Sequence, residues 1–375
     1  MKILYCLDGT YNSGGKERIV IAKANYLVAA GHEVFIVTSE QKGREDYFPL
    51  QGVKRIDTDI DFRSIASQDP IRKAINYSRK RRNYRNKLEK IIRETNPDII
   101  ISTFGYEVDT VADIKFGGKK ILESHFTKNF RIYRGRKGIW KLIDRYKTRQ
   151  DKKNLKKFHR FVCLTREDKN NWGEAGIEVI NNFISKKTEN AASLDEKRVL
   201  SVGRLTHQKG YDRLIQAWEE VHNTFPDWQL DIYGDGPLRD KLQKQIEENG
   251  LGECVRLNRA VKDIHNKYLE SSAFVMTSHY EGMPMVMLEA MEAGLPIISF
   301  DFECGPKDLI EEGVNGLLVK NGDIDSLAQA IIKIIRDKEL RKKMGHASFR
   351  MAGQYMQESI MAKWQELFNH LAPCE

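Results

Sequence analysis

One stretch near residue 280 constrains the fold more than any other part of this sequence. A run of strand-forming residues, 273–277, leads into a turn with Gly282 and Pro284, and a helical pattern follows. This order predicts a strand, a tight turn and a helix. Glu281 lies in the turn and Glu289 within the helix, with the free N–H groups of the first helical turn between them. Those N–H groups suit a pyrophosphate, and a carboxylate can accept two hydrogen bonds from a vicinal diol. The stretch therefore has the outline of a binding site for a nucleotide sugar.

The spacing of the two glutamates favours function over a simpler interpretation. A single glutamate at a helix start is usually a surface residue that complements the helix dipole. Residues 281–291, however, resemble the double-glutamate signature of the retaining glycosyltransferases of family four, which have the GT-B fold. Residues 294–299 and 313–319 are similar to the same family, and the resemblance is specific over about the second half of the chain. It implies an α/β protein with two facing Rossmann-like domains and a C-terminal helix that crosses back to the first.

The length and the strand pattern predict how the chain is divided. A chain of 375 residues is too long for one small core and predicts two domains. We expect an N-terminal acceptor domain over 1–184, a donor domain over 185–350 and a helix over 351–375 that packs back on the first domain. The polar stretch 185–190 lacks apolar periodicity and is the predicted linker. The polar region 43–96 predicts helices, and 161–165 is the expected last strand of the first domain.

Cysteine usage and apolar runs indicate the compartment. The five cysteines are scattered and odd in number, without the paired spacing of a zinc site or a disulfide framework. No apolar run approaches the length needed to span a bilayer, and no signal peptide is visible. We therefore expect a cytoplasmic protein. The family resemblance further implies peripheral association at the inner face of the membrane.

Positive charge is concentrated in the first half of the chain. The formal net charge is +9, and fourteen lysines and arginines between residues 128 and 160 face only Asp144 and Asp151. A second basic cluster lies at 79–87. Nucleic acid, anionic lipid and an acidic acceptor all fit such a surface, and a solvated helix face is the simpler alternative. The family resemblance favours an anionic membrane surface over nucleic acid.

The first half also contains a glycine turn and a histidine at strand ends. A parallel β-α-β unit is predicted at the start of the chain, with a strand at 2–7, a helix at 19–30 and a strand at 33–38. The turn between the first strand and the helix is similar to the Gly-Gly-x-Glu-Arg loop of the family, which implies that Gly14 and Gly15 bind the donor. His125 follows the predicted strand 120–123, and the resemblance implies that it contacts the donor sugar.

The second half contains a candidate phosphate loop. Arg204 offers a guanidinium fork and Lys209 a mobile ammonium, which together suit a pyrophosphate leaving group. Each alone is more often a surface cation, but with the adjacent glycines they match the family's Gly-Arg-x-x-x-x-Lys-Gly loop. The resemblance further implies that Glu281 binds sugar hydroxyls and that Glu289 binds the ribose. It also implies that Met285 and Val286 bind the donor through backbone N–H groups at the helix start, and Gly282 in the preceding turn is a further predicted donor-binding residue.

No metal or other cofactor is expected. The acidic runs 57–61 and 323–325 lack the loop context of a nucleotide-metal site, and surface or helix-start positions fit them better. The resemblance implies that the catalytic residues are His125, Glu281, Arg204 and Lys209, and no metal ligands are expected among them. Without a metal, the departing diphosphate must be stabilised by cations and helix N–H groups.

The predicted function is a retaining, metal-independent transfer of a hexose or N-acetylhexosamine. The donor is a nucleotide sugar, with UDP favoured because 304–310 resembles a subgroup that builds surface polysaccharides. The acceptor is a glycan or a lipid-linked glycan. Two alternatives remain open at this point: a nucleotide-sugar epimerase or phosphorylase of similar architecture, and a basic binding protein without catalysis.

Overall fold

The chain forms two compact α/β units, each built on its own parallel sheet. The computed structural model describes residues 1–65, 68–133, 138–185 and 190–372. The first unit comprises Met1–Leu164, Lys169–Asn181 and Ile360–Glu375, and the second comprises Thr165–Asp168 and Asn182–Ser359. Residues 186–189, within the predicted linker, and Cys374 lie outside the described residues. The domain boundaries expected from the sequence stay predictions.

The first unit contains a seven-stranded sheet of order β3-β2-β1-β4-β5-β6-β7, with every neighbouring pair parallel. Its central strands are apolar and buried, as expected for a sheet covered on both faces. The strands are β1 (Lys2–Leu7), β2 (Glu33–Thr38), β3 (Lys54–Asp57), β4 (Ile99–Ser102), β5 (Lys119–Glu123), β6 (Arg160–Cys163) and β7 (Ile177–Val179).

Helices connect these strands as crossovers, because parallel neighbours cannot be joined by a short hairpin. The helices of this part of the chain are α1 (Gly15–Ala29), α2 (Pro70–Thr95), α3 (Val108–Asp113), α4 (Phe130–Tyr133), α5 (Ile139–Leu155) and α6 (Arg166–Trp172).

One expectation for the first half is wrong and another is incomplete. The predicted last strand is β6, but β7 follows it and pairs with it in parallel. Helix is confirmed in the region 43–96 by α2, but the region also contains the edge strand β3, which was not foreseen. Both missed strands are three or four residues long and only partly buried, so they lack the apolar run that identifies a central strand.

The second unit repeats the same topology. Its six strands are parallel, in the order β10-β9-β8-β11-β12-β13. In both sheets the order reverses beside the first strand, and ligands of open α/β sheets bind at such a reversal, outside the carboxyl ends of the strands. The strands are β8 (Arg198–Val202), β9 (Gln229–Tyr233), β10 (Val255–Asn258), β11 (Ala273–Met276), β12 (Ile297–Asp301) and β13 (Gly316–Lys320).

The remaining helices follow the second sheet and close the chain. The last of them belongs in large part to the first unit, where Trp364 and Phe368 are buried. The helices are α7 (Tyr211–Thr224), α8 (Arg239–Glu248), α9 (His265–Leu269), α10 (Met285–Glu292), α11 (Pro306–Leu309), α12 (Ile324–Arg336), α13 (Lys338–Ala352) and α14 (Gln357–Leu371). Across the described residues, the structure has no helix with both the length and the apolar character to cross a bilayer.

Candidate active site

In the second unit, two loops meet at the carboxyl end of the sheet. One follows β8 and carries the candidate phosphate-binding residues, and the other follows β11 and carries the first glutamate. The Thr277 hydroxyl donates to the Lys209 carbonyl at 3.1 Å, and the His279 N–H donates to the Gln208 carbonyl at 2.7 Å. The two loops are thereby joined, because β8 and β11 are neighbours at the reversal of strand order.

A glycine permits this close approach. Gly210 has φ of +63°, and a Cβ atom there would lie 2.3 Å from the Thr277 carbonyl oxygen. Any larger residue would be strained by the left-handed backbone and would also collide with the end of β11. The glycine in the Lys-Gly pair therefore sets the distance between the two loops.

Lys209 and Glu281 form an ion pair at this junction. The Lys209 Nζ atom lies 2.7 Å from Glu281 Oε1, and both side chains are largely buried, with 16% and 12% of their surface exposed. The Ser278 hydroxyl donates to the same carboxylate oxygen at 2.9 Å. The structure thus brings together two predicted catalytic residues that are far apart in the sequence. Their contact places an ammonium and a carboxylate side by side at the carboxyl end of the sheet.

Glu289 is held from the side by a buried tyrosine. The Tyr268 hydroxyl donates to Glu289 Oε2 at 3.0 Å and lies 3.2 Å from the Val286 carbonyl oxygen. Tyr268 belongs to α9 and is fully buried. The sequence analysis missed this residue, because its helix is short and contains no feature that links it to α10.

The start of α10 offers unused donors. Pro284 precedes the helix, and its carbonyl accepts from the Met287 N–H at 3.1 Å. Within the described residues, the N–H groups of Met285 and Val286 have no backbone acceptor, as is usual in the first turn of a helix. Gly282 lies in the turn just before them. These groups lie between the two glutamates, where the sequence predicts an anion.

Arg204 remains available as a cation. Its side chain is exposed, and among the described residues it forms no ion pair or side-chain hydrogen bond. Gly203, the preceding residue, has φ of +155°, and a Cβ atom there would lie 2.9 Å from the Tyr211 hydroxyl and 3.0 Å from a carbon of Lys209. The backbone just before Arg204 is therefore packed closely against the side chains of Lys209 and Tyr211.

In the first unit, His125 lies at the carboxyl end of β5. Its Nε2 atom is 3.1 Å from Glu123 Oε1, and both side chains are buried. The same oxygen contacts the ammonium of Lys23 from α1. Burial alone would raise the pKa of Glu123, but Lys23 and His125 together lower it to about 2. Glu123 is thus a buried, ionised carboxylate directly behind the predicted catalytic histidine.

The glycine turn of the first unit lies beside a network of charges. Gly14 immediately precedes α1, and its carbonyl accepts from the Arg18 N–H at 3.0 Å; Gly15 is the first residue of the helix. Lys16 pairs with Asp8 at the end of β1. Burial opposes ionisation of Asp8, but Lys16 and Arg63 outweigh it and lower the pKa of this carboxyl. Arg63 follows β3, the edge strand that the sequence analysis missed, so the pairing was not foreseen.

The acidic runs have the structural positions expected of them. Asp323 caps α12, where its side chain accepts from the Ser326 N–H at 3.0 Å. Asp61 pairs with Lys42 at 2.6 Å, and Asp57 accepts from the Thr38 hydroxyl at 3.1 Å. In the described part of the chain no group of three or more acidic, histidine or cysteine side chains is arranged to hold a metal ion. Metal independence stays a prediction.

Two family models match the chain and together cover most of it. Residues 13–187 match the model described as Glycosyltransferase Family 4, and residues 182–351 match Glycosyl transferases group 1. The second match contains the candidate phosphate loop and both glutamates of α10 and its preceding turn.

Individual proteins are similar over nearly the whole chain. An uncharacterized glycosyltransferase of Haemophilus influenzae is 28% identical over 97% of this chain and 99% of its own. The amylovoran biosynthesis glycosyltransferase AmsD of Erwinia amylovora is 27% identical over 98% of this chain and 99% of its own. The crystal structure of S. aureus TarM in complex with fondaparinux, alpha-GlcNAc-glycerol and UDP has a TM-score of 0.80 at 19% identity, covering 98% of this chain and 99% of TarM. The expected GT-B fold class is confirmed by this likeness and by the two parallel sheets.

Proposed function

Since the chain belongs to the family 4 glycosyltransferases, we propose that it transfers a hexose or N-acetylhexosamine, with retention of configuration, from a UDP-sugar to a glycan or lipid-linked acceptor in surface polysaccharide assembly. The observation that carries this proposal is the joined pair of loops in the second unit, where Lys209, Glu281 and the start of α10 converge. UDP is favoured because TarM, of similar fold, was crystallised with it. A polysaccharide acceptor is favoured by the likeness to the amylovoran enzyme.

The second unit is proposed to hold the donor. Glu289, fixed by Tyr268, accepts hydrogen bonds from the two ribose hydroxyls. The N–H groups of Met285 and Val286 donate hydrogen bonds to the diphosphate. Gly282 keeps the turn free of a side chain beside these donors. Glu281 accepts from the hydroxyls of the donor sugar.

The charge that develops on the leaving diphosphate is proposed to be stabilised by Arg204 and Lys209. As the bond between the sugar and the diphosphate breaks, negative charge accumulates on the leaving oxygen, and a preorganised donor there contributes roughly 3 kcal/mol. Lys209 is preorganised by its ion pair with Glu281, whereas Arg204 is exposed and free to close on the phosphates. In this proposal no metal ion or other cofactor is needed.

The first unit is proposed to supply His125, Gly14 and Gly15 to the donor and to bind the acceptor. His125 is the only one of these with an ionisable side chain, and its Nε2 atom lies 3.1 Å from Glu123 Oε1. It is proposed to contact a hydroxyl of the donor sugar, and the glycines allow a close approach to the backbone at the end of β1.

An anionic membrane surface is proposed as a partner of the first unit. On α5, Leu142 and Tyr146 are 63% and 68% exposed, one helical turn apart, and Lys141, Arg145 and Arg149 are exposed beside them. Apolar and basic side chains in adjacent rows are typical of a helix that lies on anionic lipid. Part of the basic segment, residues 134–137, lies outside the described residues. Liposome sedimentation that shows no preference for anionic lipid would contradict this partner and the peripheral location.

The donor site is tested by thermal shift with UDP, GDP, ADP and dTDP and their glucose and N-acetylglucosamine derivatives, in the presence of EDTA. We expect UDP and one UDP-sugar to raise the melting temperature of the wild type. The same ligands should leave the melting temperature of Glu289→Ala unchanged. Glu253→Ala is the matched control, because Glu253 is exposed and precedes β10 at the opposite, amino end of the sheet. If the nucleotides still stabilise Glu289→Ala, or if no nucleotide stabilises the wild type, the proposed donor site is contradicted. Conversion of a UDP-sugar into a second UDP-sugar without acceptor would instead identify an epimerase.

A further inference from the structure

The two loops that follow β8 and β11 are joined by more than the ion pair between Lys209 and Glu281. Because β8 and β11 are parallel neighbours, the loops leave the sheet side by side and in the same direction. Three successive residues of one loop contact three successive residues of the other: His207 contacts His279, Gln208 contacts Tyr280, and Lys209 contacts Glu281. The first two of these pairs, formed by His207, Gln208, His279 and Tyr280, are called the clasp below.

One contact of the clasp is a pair of stacked histidine rings. The centroids of the His207 and His279 rings lie 4.5 Å apart, and the ring planes are within 4° of parallel. Rings at this distance attract each other beyond the area that they bury. Burial, followed by the nearby Arg213 and His207, lowers the pKa of His279 to about 4. The His279 ring is therefore uncharged at neutral pH and packs against His207 without charge repulsion.

The other contact of the clasp is a pair of hydrogen bonds made by Gln208. Its side-chain amide donates to the Tyr280 carbonyl at 2.9 Å, and its own carbonyl accepts from the His279 N–H at 2.7 Å. Gln208 immediately precedes Lys209, and Tyr280 immediately precedes Glu281. The backbone on which each partner of the ion pair is carried is thereby tied to the opposite loop.

The ion pair needs this support, because a lysine side chain loses much rotamer freedom when it is held in one place. A single contact between an ammonium and a carboxylate therefore fixes the two groups only weakly unless their backbones are already held at the right distance. The clasp supplies that distance through a ring contact and two hydrogen bonds, none of which depends on a net charge.

We propose that the clasp positions Lys209 against Glu281, with His207, Gln208 and His279 as positioning residues. The inference rests on the proposed function, in which Lys209 stabilises the leaving diphosphate and Glu281 binds the donor sugar. It deepens that function by identifying the residues that hold both side chains in place before the donor arrives. The clasp residues themselves have no contact with the donor in this proposal.

The test measures how fast acetic anhydride, at low concentration, labels Lys209 in the full-length protein without nucleotide. Lys209 reacts when its contact with Glu281 opens, so the rate reports the population of the open loops. His279→Ala, which removes the ring stack, should raise the rate roughly threefold to tenfold, as expected for the loss of one aromatic pair. His279→Phe keeps a stacking ring and should be labelled at close to the wild-type rate. Mass spectrometry of the labelled peptides measures these rates.

A matched variant and an internal reference accompany this measurement. His222→Ala removes the same kind of side chain from the last turn of α7 in the same unit and should leave the labelling of Lys209 unchanged. Lys338, which pairs with Asp195 at 2.8 Å, provides a reference rate that should be equal in all variants.

A second variant keeps the test decisive if His279→Ala does not fold. His207→Ala removes the exposed ring of the stack and should raise the labelling rate of Lys209 by a similar factor. The double variant His207→Ala/His279→Ala should be labelled no faster than either single variant, because each substitution alone already abolishes the stack.

Turnover of the donor gives a readout that a purely structural role would not change. With the UDP-sugar that the nucleotide screen identifies, His279→Ala should lower kcat several-fold and leave KM near the wild-type value. The reason is that the contact of Lys209 with the diphosphate strengthens as charge develops in the transition state. His279→Phe should restore kcat.

Equal labelling of Lys209 in the wild type and the alanine variants of the clasp would overturn the proposal. An equal rise in His222→Ala, or labelling of His279→Phe as fast as that of His279→Ala, would also overturn it. If no nucleotide stabilises the wild type, the proposed function fails. The labelling comparison uses no nucleotide and still decides whether the clasp positions Lys209.

Discussion

At the scale of single residues, the proposed donor site depends on contacts that fix side chains in place. Tyr268 is such a residue, because its hydroxyl donates to Glu289 while its ring is buried. Removing the hydroxyl in Tyr268→Phe should cost about 1 kcal/mol of UDP affinity, or about fivefold, since Glu289 loses the donor that orients it. Calorimetric titration with UDP measures this loss.

The matched control is Tyr355→Phe. The Tyr355 hydroxyl donates to the Asp308 carbonyl at 2.9 Å in the same unit, and among the described residues it forms no hydrogen bond with α10. Both variants lose one hydrogen bond and should lose similar stability, but only Tyr268→Phe should bind UDP more weakly. Equal UDP affinity in the two variants would show that Tyr268 has a structural role alone.

At the scale of elements, α7 and β11 are joined through one glycine. Gly210 and Gly250 have nearly the same backbone angle, φ of +63° and +67°, but only the Cβ site of Gly210 is occupied by a neighbouring carbonyl. Gly250→Ala should cost about 1–2 kcal/mol of unfolding free energy, the usual penalty for a left-handed alanine. Gly210→Ala should cost clearly more, because α7 must also move away from β11.

Chemical denaturation of the two variants measures the difference, and UDP titration reports on the site. Displacement of the loops in Gly210→Ala should separate Lys209 from Glu281 and reduce UDP binding, whereas Gly250→Ala should bind normally. If the two variants lose equal unfolding free energy, the contact between the new side chain at position 210 and the Thr277 carbonyl relaxes without a measurable energetic cost.

At the scale of the whole molecule, each unit has its own core, and the chain returns to the first unit at its end. Trp364 is 2% exposed within the first unit and Trp218 is fully buried within the second. Replacement of either tryptophan by alanine should remove about 3–5 kcal/mol of stability. Hydrogen exchange should show the loss in different strands: β1, β4 and β5 for Trp364→Ala, and β8, β9 and β11 for Trp218→Ala. Loss of protection in the second sheet alone for Trp364→Ala would contradict the place of α14 in the first unit.

The sequence by itself determined the class of fold, and it identified the segments of the second half that carry the proposed donor site. Central strands such as β1, β2 and β11 are identifiable because burial on both faces requires an uninterrupted apolar run. The turn before α10 is identifiable because its glycine, its proline and both glutamates lie within one short segment. Periodicity and turn chemistry are local, so they can be read without knowledge of the partners of each element.

Only the tertiary structure decided which of these residues meet. The pairs Lys209–Glu281 and Lys23–Glu123 join segments 72 and 100 residues apart, and neither pairing is encoded in the segments themselves. The edge strands β3 and β7 were missed for a related reason: a strand at the margin of a sheet is short and half-exposed, so hydrogen bonds to its neighbour define it more than its composition does. Strand order brings distant loops to the same edge of a sheet, and that order is a property of the packed chain, because it depends on how the crossover helices cover both faces.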